Sequence, residues 1–469
     1  MARNALAAIL LSLTLLSAGC SGKPEGPSDS GNGAGPGGET ASNTTPESTA
    51  PSRASERTSP GDAFRGGTSF GTTPEAEYGY TYGSASGNRL AGGAADLPGS
   101  ETVETGLGGT PVWVAGVSTN GGTAWVAILE DGSVEAFRLT PGGLEPARIT
   151  PRELPPGAPP LLVSRGGDLE LVTAEDSSGT THPVPLAGAG EPGGLLVIGE
   201  DGGLSVERGG ESLGIPRAPS ALSDARAVRG PDGDLAILTS PTARYDHGVL
   251  GDGLEADTIT VLRPTTEGAR VSSSFPAESG GVFEGVAPLW FERGGQRLLA
   301  VTESAAGLGS RVSVYRPSGE LVGAGPFVGE GMRWRHLTAA ASFGPEGETE
   351  LSATLTPHVG GVAQFYGIGE DGLNVAAGVP GYASHRIYSR NLDATLAGDL
   401  DADGQTELLL PDSSHTSLGG LTRTPDGART EWSLPVGGEL STNLASATGP
   451  GGRAVVAAGR SDGVLRIWR

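Results

Sequence analysis

The chain has 469 residues, 80 of them Gly and 35 Pro, and a formal net charge of -23. Such acidity excludes nucleic acid as a partner and electrostatic adhesion to anionic lipid, because both select basic surfaces. The single cysteine, Cys20, excludes disulfides and thiol catalysis from the body of the protein.

The first twenty residues read as a targeting segment. Arg3 gives a positive start, residues 5–16 an apolar run too short to span a bilayer, and Ser17-Ala18-Gly19-Cys20 a small-residue cleavage site. This site resembles the bacterial lipobox, although Ser17 stands where Leu is commonest and Leu16 is one place early. The resemblance implies cleavage before Cys20 and a lipid on its sulfur. The protein would then lie in the cell envelope, anchored to a bacterial membrane and facing the periplasm or the exterior. The other reading is an ordinary secretory signal whose cleavage site contains a Cys.

Residues 21–63 contain no Val, Ile, Leu, Met, Phe, Trp or Tyr. A segment that buries no apolar surface cannot offset its ordering entropy, so a disordered tether is expected there. The Gly-rich texture continues to residue 100, which sets the expected linker at 21–100. Its one aromatic cluster, Tyr78-Gly79-Tyr80-Thr81-Tyr82, either packs on the folded body or remains in the linker.

From 101 to 469 short apolar runs alternate with Gly, Asp, Asn and Pro turns. The clearest unit has runs at 111–117, 124–129, 134–139 and 144–149, separated by Asn120-Gly121, Asp131-Gly132 and Gly142-Gly143. Tight Gly turns between such runs are hairpin signals, and four antiparallel strands in about 40 residues make one propeller blade. Taking Leu298, Leu351, Leu408 and Ala454 as equivalent points gives a repeat of roughly 45 to 60 residues. The fold class is therefore all-β, a β-propeller of seven four-stranded blades, with eight as the alternative, preceded by the tether. The runs between 161 and 207 make either one expanded blade or two thin ones. Because the chain ends on a third-strand-like run, 464–468, residues 101–107 are expected to complete the last blade.

The most informative stretch is Asp399-Leu400-Asp401-Ala402-Asp403-Gly404-Gln405-Thr406-Glu407, followed at once by Leu408-Leu409-Leu410. Carboxylates this close repel one another by about 1 to 4 kcal/mol per pair unless a hard cation sits between them. The spacing is not that of an EF-hand, which asks for an acid where Leu410 stands. It resembles the FG-GAP or VCBS-type repeat of integrin-α-like propellers. The resemblance implies one structural calcium ion (Ca2+), with side-chain ligands Asp399, Asp401, Asp403 and Glu407 and the backbone carbonyl of Gln405. The bland reading is an acidic hairpin turn without metal.

Other candidates are less specific. The insertion 245–257 gathers Asp246, His247, Asp252, Glu255 and Asp257, which fit no metal spacing but suit a binding loop. The six His residues, His182, His247, His336, His358, His385 and His415, are scattered singly, which argues against a zinc hydrolase. Arg333, Arg335 and His336 around Trp334 form a basic cluster, expected on the surface or near a channel mouth. No nucleophile elbow or phosphate loop occurs. The sequence thus reads as a monomeric, calcium-stabilised binding or scaffolding module for a protein or glycan ligand, tied to a membrane through Cys20. The alternatives are an envelope-assembly scaffold and a propeller hydrolase or lyase.

Overall fold

The computed structural model of the protein describes residues 76–80, 83–84, 89–186, 194–370 and 372–469. By internal contacts the chain divides into Met1–Thr58 and Ser59–Arg469, and every described residue belongs to the second unit. Cys20, the targeting segment and the apolar-free tether lie outside the described residues. Among those described there is no α-helix, only strands and one 3-10 turn at Pro450–Gly452. That follows from the abundance of Gly and Pro, the two poorest helix formers.

The strands Pro111–Thr119, Gly122–Leu129, Val134–Thr140 and Gly143–Pro146 form a four-stranded antiparallel meander in chain order. The same order recurs from Arg335–Ala341 to Gly372–Pro380 and from Leu396–Gly398 to Gly427–Pro435. Between 161 and 214 two sheets form, not one: Leu161–Arg165 and Asp168–Leu171 belong to the first, Leu195–Ile198 and Leu204–Arg208 to the second. A nine-stranded sheet holds two further meanders, which begin at Val228–Arg229 and Leu289–Arg293 and are joined through the two-residue strand Val282–Phe283.

The last sheet is closed by the other end of the chain. Leu440–Thr448, Ala454–Arg460 and Val464–Trp468 take Thr102–Gly106 as their fourth strand, with Val103 opposite Ile467. Its first strand, Leu440–Thr448, in turn packs on the first strand of the opening meander, Pro111–Thr119. The buried Asn443 side chain joins the two like a peptide group, accepting from Val114 N at 2.9 Å and donating to Val114 O at 2.7 Å. Four-stranded meanders following one another and closed in this way make a β-propeller.

Position in a sheet explains the sequence texture. Second strands such as Gly122–Leu129 and Glu407–Pro411 are buried along their whole length, packed on both faces, and so read as unbroken apolar runs. Fourth strands such as Gly427–Pro435 stay largely exposed. The points Leu298, Leu351, Leu408 and Ala454 all fall on second strands, which is why they repeat.

The expected linker ends earlier than residue 100. Ala76–Tyr80 pairs antiparallel with Leu161–Arg165, and Ala95 and Leu97 are buried with Leu400, Leu409 and Trp468. Arg89 is also buried, donating to Leu337 O at 2.8 Å and Thr338 O at 3.1 Å. An edge strand recruits its neighbour through backbone donors and acceptors, so a Gly-rich segment with few apolar side chains still joins the sheet.

Candidate metal centre

The loop Asp399 to Glu407 connects the first and second strands of its sheet, Leu396–Gly398 and Glu407–Pro411. Ala402 (φ 63°) and Gly404 (φ 89°) adopt left-handed backbone, which folds the loop back over its own acids. One carboxylate oxygen each of Asp399, Asp401 and Asp403 lies within 4.8 Å of the other two. Asp403 accepts Gln405 N at 2.8 Å and Gln405 Nε2 at 2.9 Å, while Asp401 accepts Asp403 N at 3.2 Å. Trp432 Nε1 also donates to Asp401, at 3.1 Å.

Glu407 differs from the three aspartates. It is fully buried, and Oε2 accepts the Leu400 N–H at 2.7 Å. Its Oε1 is buried without a hydrogen-bond partner, as is Oδ1 of Asp399. Burial first, then the charges of Asp401, Asp403 and Asp399, push the Glu407 carboxyl up to about 8. Asp401 is raised as well, by burial and by Asp403. Three crowded carboxylates, one of them with an orphaned buried oxygen, beside the orphaned Glu407 Oε1 fit a hard cation, and an all-oxygen donor set suits calcium better than zinc or copper. The structure thus gathers Asp399, Asp401 and Asp403, leaves Glu407 bonded to Leu400, and turns the Gln405 side chain onto Asp403.

The remaining candidates are distributed differently. Of the basic cluster expected on the surface or near a channel mouth, Arg333 is exposed, while Arg335 and His336 are buried. His336 donates from Nδ1 to Ser384 Oγ at 2.8 Å and accepts from Arg89 at Nε2, so both ring nitrogens are committed. The 245–257 insertion does not collect its acids: Asp252 pairs with Arg390, Asp257 with Arg244, and Glu255 is buried. Its His247 meets Glu284 instead. Nor are the histidines isolated. His358 and His385 have ring centroids 5.6 Å apart, and His385 packs edge-on to Trp334 at 5.3 Å. No local spacing signalled this, because the rings come from different connections of different sheets.

No protein-family model matches this sequence, and no curated protein matches it. Among solved structures, a europium-containing methanol dehydrogenase is similar with a TM-score of 0.46 and 10% identity, over 76% of this chain and 84% of that one. A likeness so distant carries no argument about chemistry.

Proposed function

We propose that the chain is a calcium-clipped propeller, held outside the cytoplasm by a lipid on Cys20, that serves as a binding or scaffolding module. The observation carrying the metal is the Asp399, Asp401 and Asp403 cluster with the orphaned oxygens of Asp399 and Glu407 beside it. In this reading the three aspartates, the Gln405 carbonyl and Glu407 hold one calcium ion, whose charge offsets their repulsion. Its task is structural. The N-terminal segment docks on this loop, with Ala95 N donating to Asp399 O at 2.8 Å and Leu97 N to Leu400 O at 2.9 Å, so the clip also fastens that segment to the ring. Counting the seven meanders and the five-stranded sheet that holds Leu161–Arg165 and Asp168–Leu171 as one blade each favours eight blades over seven.

The binding role draws support from the opposite end of the ring, where second-to-third strand connections and links between sheets emerge. Leu254, Leu308, Met332, Val359, Ile387 and Tyr388, all on such connections, are exposed large apolar side chains. Among the described residues, six of the eight exposed large apolar side chains lie on these connections, which supports a binding surface at this end.

Two experiments test the proposal. Calorimetric calcium titration of the whole chain, with melts in calcium and in chelator, should show one site that raises the melting temperature and disappears in Asp401→Ala. Identical melts and no binding heat would reduce the loop to an acidic turn. Metabolic labelling with a palmitate analogue should mark the wild type but not Cys20→Ala, and an unlabelled wild type would leave an ordinary secretory signal.

A further inference from the structure

A second, independent cluster lies at the end of the ring opposite the aspartate loop. His247 stands between Leu235–Thr242 and Glu255–Thr265, His358 between Glu350–Leu355 and Val362–Gly369, and His385 between Gly372–Pro380 and Leu396–Gly398. The first two are second-to-third strand connections and the third links one sheet to the next. In an antiparallel meander these emerge at the end away from first-to-second turns such as the aspartate loop.

The hydrogen bonds around these rings leave nitrogen lone pairs free. His385 Nε2 donates to Ser389 O at 2.9 Å, so the neutral ring carries its lone pair on Nδ1, which is buried and has no hydrogen-bond partner. Nδ1 of His358 is likewise buried without a partner. His247 donates Nδ1–H to the buried carboxylate of Glu284, itself held by Ser304, and this fixes the tautomer with the lone pair on Nε2. An imidazole donating one N–H to a carboxylate or a backbone carbonyl, with its other nitrogen free, is the arrangement found behind metal-ligating histidines.

The spacing agrees. Two imidazoles on one tetrahedral ion, with metal–nitrogen bonds of about 2.0 Å, have ring centroids about 5.2 Å apart. His358 and His385 stand 5.6 Å apart at an interplanar angle of 77°. Burial, with the nearby histidines adding to it, lowers both below the usual imidazole range, His385 to about 4, so both are neutral and able to ligate at physiological pH.

We propose that His358 and His385 form a binding site for one divalent transition metal of the zinc, cobalt or nickel class, with water in the remaining positions. Imidazole nitrogen selects this class over calcium. His247 stays on Glu284 and is not gathered with His358 and His385 as the aspartates are, whose donor atoms all lie within 4.8 Å.

The test is cobalt titration of the whole chain after chelator treatment, in saturating calcium so that the aspartate loop is occupied. Visible ligand-field bands of nitrogen-bound cobalt should saturate near one equivalent and be competed by zinc. They should be lost in His385→Ala and in the less buried His358→Ala, and persist in Asp401→Ala. No bands in the wild type, or bands indifferent to His358→Ala, would overturn the assignment. Because His358 is half-buried, its removal separates loss of the metal site from any folding defect in His385→Ala.

Discussion

The indole of Trp432 lies flat across Gly420 and donates its Nε1–H to Asp401 Oδ2 at 3.1 Å. A Cβ at Gly420 would sit 2.2 Å from the indole ring, so only glycine lets the aromatic cross its paired strand and reach the aspartate loop. A residue outside the acidic motif therefore orients one of its carboxylates.

Trp432→Phe keeps most of the apolar contact and removes the donor. Partners that orient a metal ligand typically contribute 10- to 100-fold in affinity, so calcium binding should weaken by about tenfold while the melting temperature in chelator changes little. Calorimetry on the two proteins checks this, and unchanged affinity would mean that the indole only packs.

Metal-free stability should fall on both sides of a middle pH. His182, His385 and His415 are each lowered to about 4, mainly by burial, from 6.5. A depressed folded-state value means the unfolded chain binds more protons between about 4 and 6.5, so stability is lost as pH drops through that window. Glu407 acts in the opposite sense. Its value rises from 4.5 to about 8, so the folded chain holds the extra proton and stability declines as pH climbs from about 4.5 to about 8. Calcium replaces that proton. Melts across pH should show a falling limb above about 6.5 in chelator that shrinks in calcium, and the same limb in both buffers would contradict the assignment.

Arg89 ties the N-terminal segment into the ring. Its guanidinium donates to Leu337 O and Thr338 O and lies 3.6 Å from the buried carboxylate of Asp393. Arg89→Ala leaves that acid and two carbonyls in the interior, and breaking a buried pair in this way costs about 3 to 5 kcal/mol. Denaturant unfolding measures the loss, and a change under about 1 kcal/mol would show that the segment is dispensable.

Ring closure depends on Thr102–Gly106. Replacing Val103 and Thr105 by proline breaks the pairing of this strand with Val464–Trp468 while leaving the docked segment before it in place. The exposed edge of the last sheet should then pair with other copies, so sedimentation should show association and the melt should lose cooperativity. A monomeric, cooperative variant would place closure on the packing of Leu440–Thr448 against Pro111–Thr119.

The sequence by itself determined the local features: all-β character, the hairpin runs, the acidic loop, and the need for residues near 101–107 to finish the last sheet. Each rests on neighbours along the chain, on period-two patterning, Gly turns and alternate carboxylates, and these are physical at short range. The tertiary structure decided what depends on closing the ring. It built Ala76–Tyr80 and residues 89–100 into the fold through backbone pairing, which composition does not report, and it split the 161–214 runs into two sheets. It also turned Glu407 onto Leu400 and carried Trp432 to Asp401. Singly scattered histidines became neighbours for the same reason: successive sheets present their connections at one end of a common axis, so residues remote in sequence meet there with no spacing to announce them.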